Sequence, residues 1–262
     1  LTRRRRTWAL LVLAAIAMLS LFSVHAGAER SQRGNLIVTL DGGISPKKLP
    51  RDRPAPVTVN LLGGVHTTDG SPIPRVNWIK LELAWRGNLS THGLPVCPQV
   101  RLRSTDSRQA MDACGGSLVG KGKLYAEIFV PNQEPFGVHA NLLAFNGKTQ
   151  TKRPAVLVHA YTPDPPVSFI IPFTIHRNTG SFKTVLVTTI RRSVGPWPHV
   201  ANFRIRVARN FSHNGERRSY LSASCPVPPH FTAGFLSFAR AIYTFAGGRQ
   251  LTTETVRSCR AR

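Results

Sequence analysis

Beyond residue 28, apolar and polar residues alternate in short runs broken by glycine, proline and Asn-Gly pairs, a pattern of β-strands joined by tight turns. In NWIKLELAW, Ile79, Leu81, Leu83 and Trp85 fall on one face and Trp78, Lys80 and Glu82 on the other, as in a strand buried on one side. The same period of two predicts strands in KLYAEIFV, GVHANLLAF, AVLVHAY, VSFIIPFTI, FKTVLVTTI and NFRIRVARNF. Gly147 after Asn146, Gly180 after Thr179, and the pair Gly247-Gly248 are expected to supply turns between them. The fold class that follows is all-β, with sandwich-like antiparallel sheets and at most one or two short helical turns.

Two segments depart from simple alternation. STDSRQAMDAC reads as a short helix, capped by Ser104 or Thr105 and ended by Gly115-Gly116. Between Phe231 and Phe245, the residues Phe231, Phe235, Phe238, Ile242 and Phe245 recur at helical spacing. The Gly247-Gly248 turn and the Thr- and Val-rich QLTTETV that follows it instead predict a hairpin there. Prolines 163, 165 and 166 stiffen residues 161–169. That stretch is the place for a boundary if residues 29–262 form two subdomains, and otherwise a loop within a single sandwich-like domain.

Residues 1–28 read as an export signal: four arginines, an apolar run from Trp8 to about Val24, and Ala26-Gly27-Ala28 as a cleavage site. The alternative is an uncleaved anchor, since the run approaches the roughly 18 residues of a membrane span. The expected location is outside the cytoplasm, secreted or attached to the cell envelope. The whole chain carries 35 Lys and Arg against 12 acidic residues, a net charge of +23, which becomes +19 without the four leader arginines. Such a charge draws a protein to anionic surfaces, whether phosphate polymers, acidic headgroups or acidic glycans. Cys97, Cys114, Cys225 and Cys259 allow three pairings, of which Cys97 with Cys114 and Cys225 with Cys259 close the shortest loops.

The stretch ACGGSLVGKG, residues 113–122, contains two decoys. CGGSL looks like a strand of trypsin-like proteases, but no histidine follows before His139 and no Asp-Ser-Gly occurs to supply a nucleophile in an oxyanion loop. GGSLVGKG approaches a P-loop, yet Gly122 stands where the magnesium-binding Ser or Thr belongs and a strand follows where a helix should. No nucleotide and no cofactor are expected, and Ser117 reads as structural. The histidines beyond residue 28 show no metal-ligand spacing, so no metal is expected either. His139 and His159 lie in strands that would have to be neighbours for them to meet. Glu82, Glu127, Glu134 and Asp164 are the acids to inspect for a glycosidase pair, and each reads more simply as an exposed charge.

The basic residues form a pattern. In NFRIRVARNF, Phe203, Ile205 and Val207 alternate with Arg204 and Arg206, which places two guanidinium groups on one sheet face. Arg191 and Arg192 are expected to join them as an anion-binding set, with Arg217, Arg218 and Arg240 in the same half of the chain. The alternative for all of them is a solvated polar face.

Gly93-Leu94-Pro95-Val96-Cys97 followed by Cys114, Gly120 and Gly122, then Phe145-Asn146-Gly147, Cys225-Pro226 and a final Cys259, resemble a group of uncharacterised exported β-rich proteins of actinobacteria. The likeness runs from about residue 56 onward and implies the β fold and the near-neighbour disulfides, but no activity. The expected function is a non-catalytic binding or structural role at the cell envelope, with an anionic polymer or membrane surface as partner. The alternative is a secreted hydrolase acting on an envelope glycan.

Overall fold

The computed structural model of the 262-residue chain describes residues 29–84, 86–129, 132–190 and 197–262. Residues 1–28, on which the expected export signal falls, and Trp85, Arg191 and Arg192 lie outside the described residues. The strands are β1 (Glu29–Arg33), β2 (Leu36–Ser45), β3 (Lys48–Leu49), β4 (Ala55–Pro56), β5 (Thr58–Thr67), β6 (Val76–Ala84), β7 (Gly87–Leu89) and β8 (Cys97–Pro98), followed by helix α1 (Ser107–Cys114). After it come β9 (Leu118–Phe129), β10 (Phe136–Lys148), β11 (Pro154–Pro163), β12 (Pro166–Arg177), β13 (Phe182–Thr189), β14 (Trp197–Val207), β15 (Asn210–His213), β16 (Glu216–Ser219), β17 (Leu221–Ala223), β18 (Ala233–Phe245) and β19 (Gln250–Ala261). The fold is all-β.

Fourteen strands share one curled sheet in the order β1-β2-β5-β14-β9-β10-β11-β12-β13-β6-β18-β19-β3, with β8 beside β10. From β9 to β13 the order is a simple meander, because short turns let each strand fold back on the last. On either side of the meander the neighbours are distant in sequence: β14 pairs β9 and β5, and β6 lies between β13 and β18. The two flanks of the sheet meet through side chains. Thr255 Oγ1 donates to Leu40 O at 3.1 Å, Thr253 Oγ1 donates to Glu29 O at 3.0 Å, and the Val256 amide donates to Glu29 Oε1 at 2.8 Å. Alternation then turns Leu36, Val38, Leu40, Leu61, Ala241 and Tyr243 inward, where they belong to one large apolar core.

A second, smaller core lies on the outside of the sheet. There α1 and the turn before it cover Leu143, Phe145, Ala155 and Leu157 with Leu102 and Ala110. The Cys97–Cys114 disulfide ties this cover to the sheet beside β10, and Cys225–Cys259 ties the approach to β18 onto the end of β19. Both pairings are those expected from the shortest loops.

Several local expectations are corrected. The cap of α1 is Asp106, not Ser104 or Thr105: Asp106 Oδ1 accepts from Gln109 N at 2.8 Å, and Gln109 Oε1 accepts from Asp106 N at 3.0 Å, a capping box. Thr105 is occupied elsewhere, donating to Leu102 O at 2.9 Å. Asn146-Gly147 is not a turn but the far end of β10. There Asn146 Nδ2 donates to Pro95 O at 3.0 Å, and a Cβ on Gly147 would come within 2.5 Å of Leu157 Cδ1 and 2.6 Å of Cys97 O, so only glycine lets β8 lie so close. NFRIRVARNF is two strands, since β14 ends at Val207 and β15 begins at Asn210. Residues 161–169 are the paired ends of β11 and β12 and the Asp164-Pro165 turn between them.

Candidate functional site

The site is built by two strands that pair across a long stretch of sequence. In β9, Gly120, Gly122, Leu124 and Ala126 point inward while Lys121, Lys123, Tyr125 and Glu127 point outward. In β14, Phe203, Ile205 and Val207 point inward while Asn202, Arg204 and Arg206 point outward. The register places Arg204 opposite Lys123 and Arg206 opposite Lys121. All four side chains are exposed. The result is a two-by-two grid of cations, with Leu62 and Asn60 of β5 on one side and Asn141 of β10 on the other.

Like charges directly opposite on neighbouring strands are unfavourable, by roughly 0.2–1 kcal/mol per pair. No direct ion pair relieves this repulsion: among the described residues, none involves any of the four cations. Asp41 stands in the same row of the sheet, opposite Leu62, but it is taken by Arg257, which also donates to Gly42 O. The outer face beside the grid is recessed into a groove of about 940 Å³ whose walls include Arg204 and Lys123, the carboxylates Asp41 and Glu127, and Tyr125 and His139. The Tyr125 and His139 rings lie 5.1 Å apart in that wall. The groove therefore brings cations, carboxylates and aromatic edges together, with its two cations, Lys123 and Arg204, at the side that borders the grid.

Of the predicted anion-binding residues, Arg204 and Arg206 stand together on this face, and Arg191 and Arg192 lie outside the described residues. Arg240 is committed elsewhere. Its guanidinium binds Glu82 and lies 4.4 Å from the centre of the Phe182 ring. Glu82, expected to be an exposed charge, is only 2% exposed and also receives Lys80 Nζ at 2.7 Å. Burial by itself would raise its pKa, but hydrogen bonds and charge from Arg240 and Lys80 outweigh that and hold the carboxyl below its ordinary value. Arg217 and Arg218 sit on the separate β15–β16 pair, where Arg218 binds Glu216 at 2.8 Å. Lys121 and Lys123 were not among the expected residues, although the alternation in LVGKGKLYAE, taken with that in NFRIRV, already puts two cations on one face of each strand.

The decoys resolve into structure. Ser117 is buried in a short 3-10 turn between α1 and β9. Gly122 is needed because the β14 backbone passes close by: a Cβ there would lie 2.2 Å from Arg204 O. His139 and His159 do not meet, since the register sets His139 opposite Tyr125 and His159 opposite Leu143. His159 is fully buried under the approach to α1, with Nε2 2.9 Å from Thr105 O. Its burial lowers its pKa, against weaker opposing effects of the Thr105 carbonyl and the Asp106 charge. Among the described residues, no three of His, Cys, Asp and Glu gather as metal ligands would.

No protein-family model, curated protein or solved structure matches this chain. Two disulfides indicate folding in an oxidising compartment. Among the described residues, no helix is long and apolar enough to cross a membrane.

Proposed function

We propose that the protein is an exported, non-catalytic binding component of the cell envelope, whose β9–β14 face holds an anionic polymer or a layer of anionic headgroups. One observation carries this reading: Lys121, Lys123, Arg204 and Arg206 are set against one another in register, exposed and without an ion pair among the described residues. Such an arrangement costs stability when empty and is relieved when anions sit between the cations. The net positive charge of the chain adds a long-range attraction toward the same partners.

The test is retention on immobilised polyphosphate and co-sedimentation with phosphatidylglycerol vesicles across a salt series. Binding through four cations should weaken steeply with salt, and Arg204→Ser/Arg206→Ser should lower the log–log salt slope by about 2. Arg101→Ser/Arg103→Ser removes two exposed charges from the turn before α1 and should change it far less. Equal losses in the two double variants would reduce the grid to bulk charge, and salt-independent binding would remove the proposal. Retention on polyphosphate alone, or on vesicles alone, identifies the source of the anion.

A further inference from the structure

The inner side of the curled sheet is not filled. A cavity of about 200 Å³ lies within it, walled by Leu61, Ile79, Leu142, Ile171, Phe173 and Phe203 among other apolar side chains. These six come from five different strands, β5, β6, β10, β12 and β14, so the space runs through the middle of the sheet's curl and not under one loop. Ile79, Leu81, Val158, Ile171, Phe173 and Ile205 all face it and all keep part of their surface accessible. Protein interiors ordinarily close around such side chains, leaving few voids larger than a water molecule. The basic side chains of the wall, Arg75 and His199, lie at one end, where His199 Nδ1 meets Ile73 O and Ala246 N donates to Arg75 O. Elsewhere the wall offers water too few partners for it to be held well. The phenol of Tyr243, also in the wall, has its pKa pushed up to about 12 by desolvation, as expected of a dry surrounding.

We infer that this cavity binds a hydrocarbon chain, such as the acyl or alkyl tail of an amphiphile, with the polar head left at the Arg75 end. A cavity of about 150 Å³ lined by aliphatic and aromatic residues accepts benzene, so about 200 Å³ accommodates a chain of about eight carbons. The site uses the inner face of the sheet and does not depend on the cation grid of the outer face.

The experiment is displacement of the fluorescent fatty acid parinaric acid from the full chain by n-alkanoates and n-alkanols of four to twelve carbons. Affinity should rise about fourfold per added methylene, the equivalent of burying about 0.8 kcal/mol each, and level off near eight carbons. Alkanols should follow the same slope as alkanoates, which separates chain burial from attraction to surface charge. Val158→Phe, which narrows the cavity, should lower the affinity for octanoate at least tenfold. Phe173→Ala, which widens it, should move the plateau to longer chains. Arg204→Ser/Arg206→Ser should leave displacement unchanged whether or not that variant loses polyphosphate. No displacement, an affinity independent of chain length, or an effect of the outer arginines equal to that of Val158→Phe would overturn the inference. Thermal unfolding of each variant, followed by circular dichroism, shows that a loss of binding occurs in folded protein, and a folded Val158→Phe that binds octanoate normally also refutes it.

Discussion

Replacing Lys123 by glutamate should make the protein more stable and a poorer binder of polyanions, and the two effects should come from the same contact. Lys123 stands directly opposite Arg204 and next along its strand face from Lys121. The substitution removes one cross-strand repulsion of about 0.5 kcal/mol and adds an attraction of similar size, about 1 kcal/mol in all. Glu and Lys are similarly disfavoured in strands, so intrinsic propensity contributes little to the difference. With a urea m-value of about 2–3 kcal/mol/M, the unfolding midpoint should rise by about 0.4 M at low salt. Lys123→Gln removes the repulsion without adding the attraction and should give about half of that shift. In 1 M salt the screening length falls to about 3 Å and both gains should shrink toward zero. Urea is the right denaturant because it leaves ionic strength unchanged. A midpoint that falls at low salt, or a gain that survives 1 M salt, would show that the four cations do not repel one another as their register implies. Stabilisation accompanied by undiminished polyphosphate binding would keep the electrostatics but place the binding surface elsewhere.

Glu82→Gln should destabilise by about 2 kcal/mol at neutral pH, because it weakens charge-assisted hydrogen bonds to Lys80 and Arg240 that remain partly solvated. The folded carboxyl lies below its ordinary pKa of 4.5, so this contribution is fully present above about pH 4.5 and is lost as pH falls through the lowered value. The gap between wild type and Glu82→Gln, measured by urea unfolding at several pH values, should therefore narrow in acid. Opening the Cys225–Cys259 bridge with a Cys225→Ser/Cys259→Ser variant should cost about 3.8 kcal/mol on the chain-entropy account, against about 3.1 for Cys97→Ser/Cys114→Ser, from separations of 34 and 17 residues. Denaturant midpoints in that order would support the account, and the reverse order would assign the larger role to the packing of α1 against β10 and β11.

The strands, the short helix and the disulfides were legible in the sequence because each depends on residues close together or on a simple period. Period-two alternation identifies β9 and β14 separately, and the Gly247-Gly248 turn marks β18 and β19 as a hairpin against the helical spacing of the phenylalanines. The pairing of β14 with β9, and of β6 with β13 and β18, could not be read in that way. Those contacts join segments far apart in the chain, and no local rule states which edge a distant strand will choose. This is why Arg204 and Arg206 were expected as anion ligands while Lys121 and Lys123 were not. It is also why Glu82 was expected to be solvated: its burial is produced by Arg240 and Lys80 on the outer face of β6 and β18, a neighbourhood made only by the fold. Asn146-Gly147 was misjudged for a related reason. Its composition is that of a turn, but the segment ending at Cys97 comes to lie against it, and close backbone approach needs glycine as much as a turn does.

The Gly-Lys-Gly-Lys run that imitates a phosphate loop is one alternation seen from two sides. Gly120 and Gly122 face inward toward the β14 backbone, and Lys121 and Lys123 face outward beside Arg206 and Arg204. The glycines set how closely the two strands cross, and so how tightly the cations are held together. Gly122→Ala tests this link, because its methyl would lie 2.2 Å from Arg204 O and 2.8 Å from Ile205 Cα, atoms of the backbone that cannot turn aside. One strand must shift, at a cost of about 1–3 kcal/mol as in other overpacked sites. The shift moves Arg204 away from Lys123, so the low-salt stabilisation of Lys123→Glu should shrink when it is made on the Gly122→Ala background. A double-mutant cycle in urea measures that coupling. Strict additivity of the two substitutions would show that the close crossing and the cation grid are independent features of this sheet, and that the glycines serve the core alone.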